Sequence, residues 1–126
     1  MSDDILQVGG VLLWTERARF AAMRDFYVET LGLTPRSDRD GFVNFAWGEG
    51  TAEFRLTISV HEDVSGANPE PLRQMLNLTV DDIQPVYERL SALGVEFSRP
   101  PEQEPWGGWV ATFADPDGNT VQLLRP

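Results

Sequence analysis

The sequence states one pattern twice, and that repeat limits the fold more than any other feature. Each half opens with an apolar strand, VGGVLLW (8–14) and MLNLTV (75–80). Each continues into an amphipathic helix: Phe20, Met23, Tyr27 and Leu31 recur at helical steps in the first, Ile83, Val86, Leu90 and Leu93 in the second. Both helices run into a glycine inside matching tripeptides, Leu31-Gly32-Leu33 and Leu93-Gly94-Val95, where the chain past the last turn takes a left-handed conformation. Asp81 or Asp82 caps the second helix, and Pro85 fits its first turn. Short strands around 34–36 and 96–98 come next. Each half then ends in two strands about a glycine turn, GFVNFAW and TAEFRLTISV around GEG, GGWVATF and NTVQLL around ADPDG.

The unit is β-α-β-β-β, written twice. The expected fold is α+β, with two βαβββ modules forming curved mixed sheets around a cleft. Module one covers 5–60, the Pro-, Gly- and acid-rich stretch 61–74 is a linker, and module two covers 75–126, within a single domain of 1–126.

Alternation assigns the faces. Ala52, Phe54, Leu56, Ile58 and Val60 alternate with Glu53, Arg55, Thr57 and Ser59, so the apolar set packs on a helix and the polar set faces the concave side. Met75, Asn77 and Thr79 separate from Leu76, Leu78 and Val80 by the same rule, and Gln122 joins them as a polar residue lining the cleft. Trp14 follows Gly10 and Leu12 at two-residue steps onto that side. Trp47, Trp106 and Trp109 stand at strand ends or beside the Gly107-Gly108 pair, which makes the Trp106–Trp109 loop a mobile wall or lid. His61, beside Glu62 and Asp63, and the loop 35–41 are solvated. The GEG turn precedes no helix and cradles no phosphate, and the DPDGN turn lacks the other ligands of a calcium loop.

Composition closes several routes. The chain has no cysteine and no lysine, so disulfides, thiolate metal sites, cysteine nucleophiles and lysine Schiff bases are excluded. Ten arginines face twenty acids, a formal net charge of −10, which repels phosphate backbones and anionic lipid. Nucleic acid and membranes are therefore not expected partners. No apolar run approaches the roughly 20 residues of a membrane span, and the acidic opening MSDDIL is no signal peptide, so a cytoplasmic location is expected.

Phe26-Tyr27 before Leu31-Gly32-Leu33, Val80-Asp81-Asp82 before the second helix, and Trp106-Gly107-Gly108 followed by Phe113 and Asp115-Pro116-Asp117-Gly118-Asn119 together carry a likeness. The chain resembles the vicinal-oxygen-chelate superfamily, which holds glyoxalase I, extradiol dioxygenases and bleomycin-resistance proteins. The resemblance implies paired βαβββ modules closing a cleft, in a homodimer. The metal enzymes of that family place histidine or glutamine, glutamate, histidine and glutamate on the first and fourth strands of each module. Carried onto this chain, those positions fall at Gly10 (or Gly9), Glu53, Met75 and Gln122. Glycine offers no donor and a thioether suits a hard cation poorly. The pattern is thus closest to the metal-free bleomycin-resistance-type binding proteins, with no cofactor and no metal.

The expected function is binding of a planar metabolite or antibiotic in an apolar, Trp-lined cleft built from Trp14, Trp47, Glu53, Arg55, Met75, Asn77, Trp106, Trp109 and Gln122. The net charge favours a cationic ligand, while Arg55 argues for a carboxylate or enolate. The alternative is a metal-dependent glyoxalase-like lyase or extradiol-type dioxygenase with an altered ligand set. A third reading is a metal-free enzyme in which Glu53 or Gln122 moves a proton.

Overall fold

The structure is a computed structural model that describes residues 4–126, so the first three residues of MSDDIL lie outside it. It contains the repeat as two compact units, one up to Gly66 and one from Ala67. In the first, β1 (Gly10–Thr15) leads into α1 (Phe20–Asp25), then β2 (Ser37–Arg39), β3 (Phe42–Trp47) and β4 (Phe54–Val60). In the second, β5 (Met75–Thr79) leads into α2 (Ile83–Ala92), then β6 (Phe97–Gln103), β7 (Trp109–Ala114) and β8 (Thr120–Arg125). The sheets have the same order, β1-β4-β3-β2 and β5-β8-β7-β6. In each, the first strand pairs parallel with the fourth and the remaining pairs are antiparallel, giving the mixed α+β architecture that the repeat requires.

One face of each sheet is filled by its helix. Met23 and Tyr27 are fully buried against Val43, Phe45, Leu56 and Ile58, with the Tyr27 and Phe45 rings 6.4 Å apart. Arg24 ties the helix to the edge of this sheet through a forked pair with Asp38, at 2.6 and 3.3 Å. That guanidinium holds the Asp38 carboxyl below the usual range. In the second unit Ile83 and Leu90 close over Ala111, Phe113, Val121 and Leu123. Tyr87, Phe97 and Phe113 form a run of edge-to-face rings at 4.7 and 5.2 Å, each contact adding about 0.5–1.5 kcal/mol beyond its buried area.

The helix ends obey their sequence signals. Asp82 is the N-cap of α2 and accepts from the Gln84 N–H. At its end Val95 N–H bonds to Leu90 O and Gly94 N–H to Ser91 O, with Gly94 at φ 95°, the paired closure that needs glycine in the left-handed region. The first helical stretch is less regular. A 3-10 turn (Arg17–Arg19) precedes α1 and a π turn (Phe26–Thr30) follows it before Gly32. Leu93, expected on the apolar face, is instead the exposed C-cap of α2.

The strand boundaries differ from the sequence reading in three places. β2 lies at 37–39, inside the stretch read as a solvated turn, because Asp40 and Gly41 fold it back onto β3. β6 extends to Gln103 through Pro100 and Pro101, which an edge strand tolerates since its outer N–H groups need no partner. β4 starts at Phe54, because a 3-10 turn takes up Gly50–Ala52. The stretch 61–74 is divided between the units. His61 N–H bonds to Thr15 O and Gly66 N–H to Glu16, whereas Asn68 bonds to Asp117 and Asn119 and Thr120 to Pro71 O.

Candidate functional site

Each sheet has a second face, turned away from its helix. On the first, the register sets three rows across the strands: Gly10, Arg55 and Ala46; Leu12, Thr57, Asn44 and Ser37; Trp14, Ser59, Phe42 and Arg39. Leu12 and Trp14 are 43% and 47% exposed, while the central Asn44 and Thr57 are buried. At one end Glu53 is clamped by two guanidiniums. Arg36 Nη1 meets its Oε1, and Arg55 Nε meets Oε2 at 2.9 Å. Arg36 first, then Arg55, hold the Glu53 carboxyl below its usual range. At the other end His61 stands edge-on to Trp14 with ring centroids 4.8 Å apart, and its Nδ1 accepts the Asp63 N–H.

On the second sheet the open face carries Met75, Asn77 and Thr79 beside Thr120, Gln122 and Leu124. Gln122 Nε2 donates to Asn77 Oδ1 at 2.9 Å, so the mid-strand glutamine has a partner directly across the strand pair. Met75 is 48% exposed. This face sets Met75 and Leu124 among hydroxyls and one neutral amide pair, whereas the first sets Leu12, Trp14 and Phe42 among hydroxyls and a charged cluster.

The structure thus gathers Trp14, Glu53 and Arg55 in one unit and Met75, Asn77 and Gln122 in the other. It does not gather the remaining tryptophans with them. Trp47 pairs with Phe54 and shares the helix face of the first sheet with Val43 and Phe45. Trp109 shares the helix face of the second with Ala111 and Phe113, where it lines a groove of about 460 Å³ together with Asp81, Asp82, Ile83, Gln84 and Arg125. Trp106 is exposed at the β6–β7 hairpin tip, its ring laid against Gly108, where an added Cβ would come within 1.9 Å of the ring. Three hydrogen bonds close that tip, Glu104 N–H to Gly108 O, Gly107 N–H to Glu104 O and Gln103 Nε2 to Gly107 O. The tip is thus a turn held by its own hydrogen bonds.

The register shows what stands beside the ligand positions carried over from the resemblance. Across the first and fourth strands, Asn77 faces Gln122, and the corresponding pair in the first unit is Leu12 and Thr57. Gly10 faces Arg55, and Glu53 precedes β4 altogether. None of Leu12, Thr57, Asn77 and Gln122 is an imidazole or a carboxylate, and Glu53 is committed to Arg36 and Arg55. The donor set does not fit a divalent metal centre of the family's kind. Among the described residues, no three His, Cys, Asp or Glu side chains come together as a metal site would need.

One participant was missing from the sequence reading. Arg36 reaches Glu53 only because of the β2–β3 register, which no local pattern signals. The placement of Trp109 was signalled, since it shares two-residue parity with Phe113. Among the described residues no helix is long and apolar enough to cross a membrane.

A family model described as the Glyoxalase/Bleomycin resistance protein/Dioxygenase superfamily matches residues 17–123. The uncharacterized protein YetH of Bacillus subtilis (strain 168) is 31% identical over 122 residues, 94% of this chain and 98% of the relative. Two solved structures share the fold at useful identity. TnmS3, an antibiotic binding protein from Streptomyces sp. CB03234, is 26% identical with a TM-score of 0.71, covering 99% of each chain. A glyoxalase/bleomycin resistance protein/dioxygenase superfamily member from Sphaerobacter thermophilus is 28% identical with a TM-score of 0.69, covering 97% of this chain and 98% of that one.

Proposed function

The chain belongs to the Glyoxalase/Bleomycin resistance protein/Dioxygenase superfamily, and on that premise we propose that it is a small-molecule-binding protein whose planar ligand lies on the open sheet faces. One observation carries the reading. Each sheet buries one face under its helix and leaves large apolar side chains exposed on the other, Leu12 and Trp14 in the first unit and Met75 in the second. Beside them stand a few fixed polar groups, the Glu53–Arg55 pair and the Asn77–Gln122 pair. Apolar surface with sparse polar anchors is the usual make-up of a small-molecule site. TnmS3, an antibiotic binding protein of similar length and fold, supports the same class of ligand.

Trp14 supplies the stacking surface. A flat ring laid on it gains about 0.5–1.5 kcal/mol beyond area burial. The metal-dependent alternative is less well supported, because the paired positions on the first and fourth strands hold leucine, threonine and two amides. The test is a titration of tryptophan fluorescence with a set of fused-ring compounds, in the wild type and in Trp14→Leu. Saturable binding weakened at least tenfold by the substitution is expected. Absence of any saturable change across the set would refute the reading.

A further inference from the structure

The charges on the first sheet are sorted by face in a way that the overall composition hides. The chain carries twenty acids to ten arginines, yet the open face of this sheet presents Arg39 and Arg55, joined by the Arg36 guanidinium, against Glu53 alone. Asp38, the acid of β2, lies on the helix side and is spent on Arg24. The ratio of signs is reversed on the one face that also exposes Leu12 and Trp14.

The cluster around Glu53 is over-supplied with positive charge. A single carboxylate, with its side chain only 18% exposed, serves two guanidiniums. Each guanidinium has five N–H donors. Arg55 commits Nε and Arg36 commits Nη1, so both Nη groups of Arg55 have no partner among the described residues. The side chain of Arg55 is 57% exposed, and that of Arg36 53%. A planar guanidinium edge with two free nitrogens matches a carboxylate in two parallel hydrogen bonds.

The floor beside Arg55 is also bare. Its neighbours across the sheet are Gly10 and Ala46, the smallest side chains available. At Gly10 a Cβ would come within 2.3 Å of the Arg55 carbonyl oxygen, so any larger residue would force the strands apart. The next row brings Leu12 and the one after it Trp14. From the Arg55 row to the Trp14 row is four residues of strand, about 13 Å at 3.3 Å per residue.

We propose that this face takes the carboxylate of a flat, polycyclic ligand on Arg55 and Arg36, with the ring system laid over Leu12 toward Trp14. The proposal rests on the open faces being the ligand site and names the ligand class for the first of them. It reverses the expectation from net charge. The acidic surface acts over distances that salt screens within about 8 Å at physiological ionic strength, whereas the guanidinium acts in contact. Glu53 holds the Arg55 Nε at 2.9 Å and so orients its guanidinium.

Three matched probes decide it: anthracene-2-carboxylate, anthracene-2-carboxamide and 2-(aminomethyl)anthracene, titrated by fluorescence against the intact protein. The carboxylate should bind at least tenfold more tightly than the carboxamide, a difference of about 1.4 kcal/mol, and more tightly still than the ammonium. Raising the salt concentration should weaken the carboxylate alone. Arg55→Gln and, separately, Arg36→Gln should narrow the gap between carboxylate and carboxamide, with the wild-type series and its salt dependence standing whether or not either variant folds. If carboxamide or ammonium binds as well as carboxylate, the ligand class is wrong while the binding reading survives. Silence from all three probes would overturn both.

Discussion

Replacing Gly10 by alanine should destabilise the protein although the backbone there is ordinary for an L-residue. The new Cβ would stand 2.3 Å from the Arg55 carbonyl oxygen and 3.1 Å from its carbon. Carbon and oxygen do not approach that closely, so β1 and β4 must separate by most of an ångström. The obstacle is backbone, and no side-chain rotation can relieve it. The shift would strain the first rungs of the parallel ladder, where Arg55 N–H bonds to Gly9 O at 3.0 Å. Overpacking of this kind costs about 1–3 kcal/mol. At roughly 2.1 cal/mol/K of unfolding entropy per residue, a chain of this length loses about 4 °C of Tm per kcal/mol, so a fall of about 4–11 °C is expected. Gly9→Ala is the control, because a Cβ there meets nothing within 4 Å. The loss of unfolded-state freedom alone should leave that variant unchanged or stabilised by up to about 1 kcal/mol. Differential scanning calorimetry of the two variants reads the contrast. If Gly10→Ala melts at or above Gly9→Ala, the close approach of β1 to β4 is wrong.

Other expectations follow from the contacts. The Glu53 and Asp38 carboxyls are held below their ordinary values of 4.5 and 3.8, so their contribution to stability is complete above those values and is lost as the pH falls through the lower, folded ones; urea midpoints should decline below about pH 4.5, less steeply in Glu53→Gln. Gly108→Ala should push the Trp106 ring off its seat, changing tryptophan emission with little loss of Tm, because the obstacle is the end of a movable side chain. Phe113→Ala removes the buried end ring of the Tyr87–Phe97–Phe113 run and should cost about 3–5 kcal/mol in urea denaturation. We propose a homodimer, because Ile5, Leu6 and Val8 leave a run of apolar side chains exposed outside the open face, as a small monomer seldom does. Sedimentation should give twice the 14.1 kDa chain mass, and a particle of the single mass at micromolar concentration would refute it.

The repeat, the helix caps and the two-faced strands could be read from the sequence because each is a local rule. Gly32 and Gly94 stop their helices for a conformational reason, and Met23, Tyr27 and Leu90 sit at helical spacing. Gln122 was placed opposite Val121 and Leu123 by alternation alone. The site was less legible where it depends on registers between strands. Glu53 belongs by parity to β4, but the 3-10 turn at Gly50–Ala52 delays the strand and leaves Glu53 ahead of it. Trp47 and Trp109 were assigned by their nearness to glycines, although parity with Phe45 and Phe113 points to the helix side. Arg36 enters the cluster through the fold of a short edge strand, and no spacing in the sequence records that.

The equivalence of Leu12–Thr57 with Asn77–Gln122 bears on how such a chain changes over generations. Codons for asparagine and histidine differ by a single base, as do those for glutamine and glutamate. In the second unit, then, one base substitution at each position turns a neutral amide pair into an imidazole facing a carboxylate. Threonine codons lie further from glutamate, so Thr57 offers the first unit no such step. Two units of one strand order thus have unequal reach: one stands a base at each position from an imidazole–carboxylate pair, while the other keeps its charged floor.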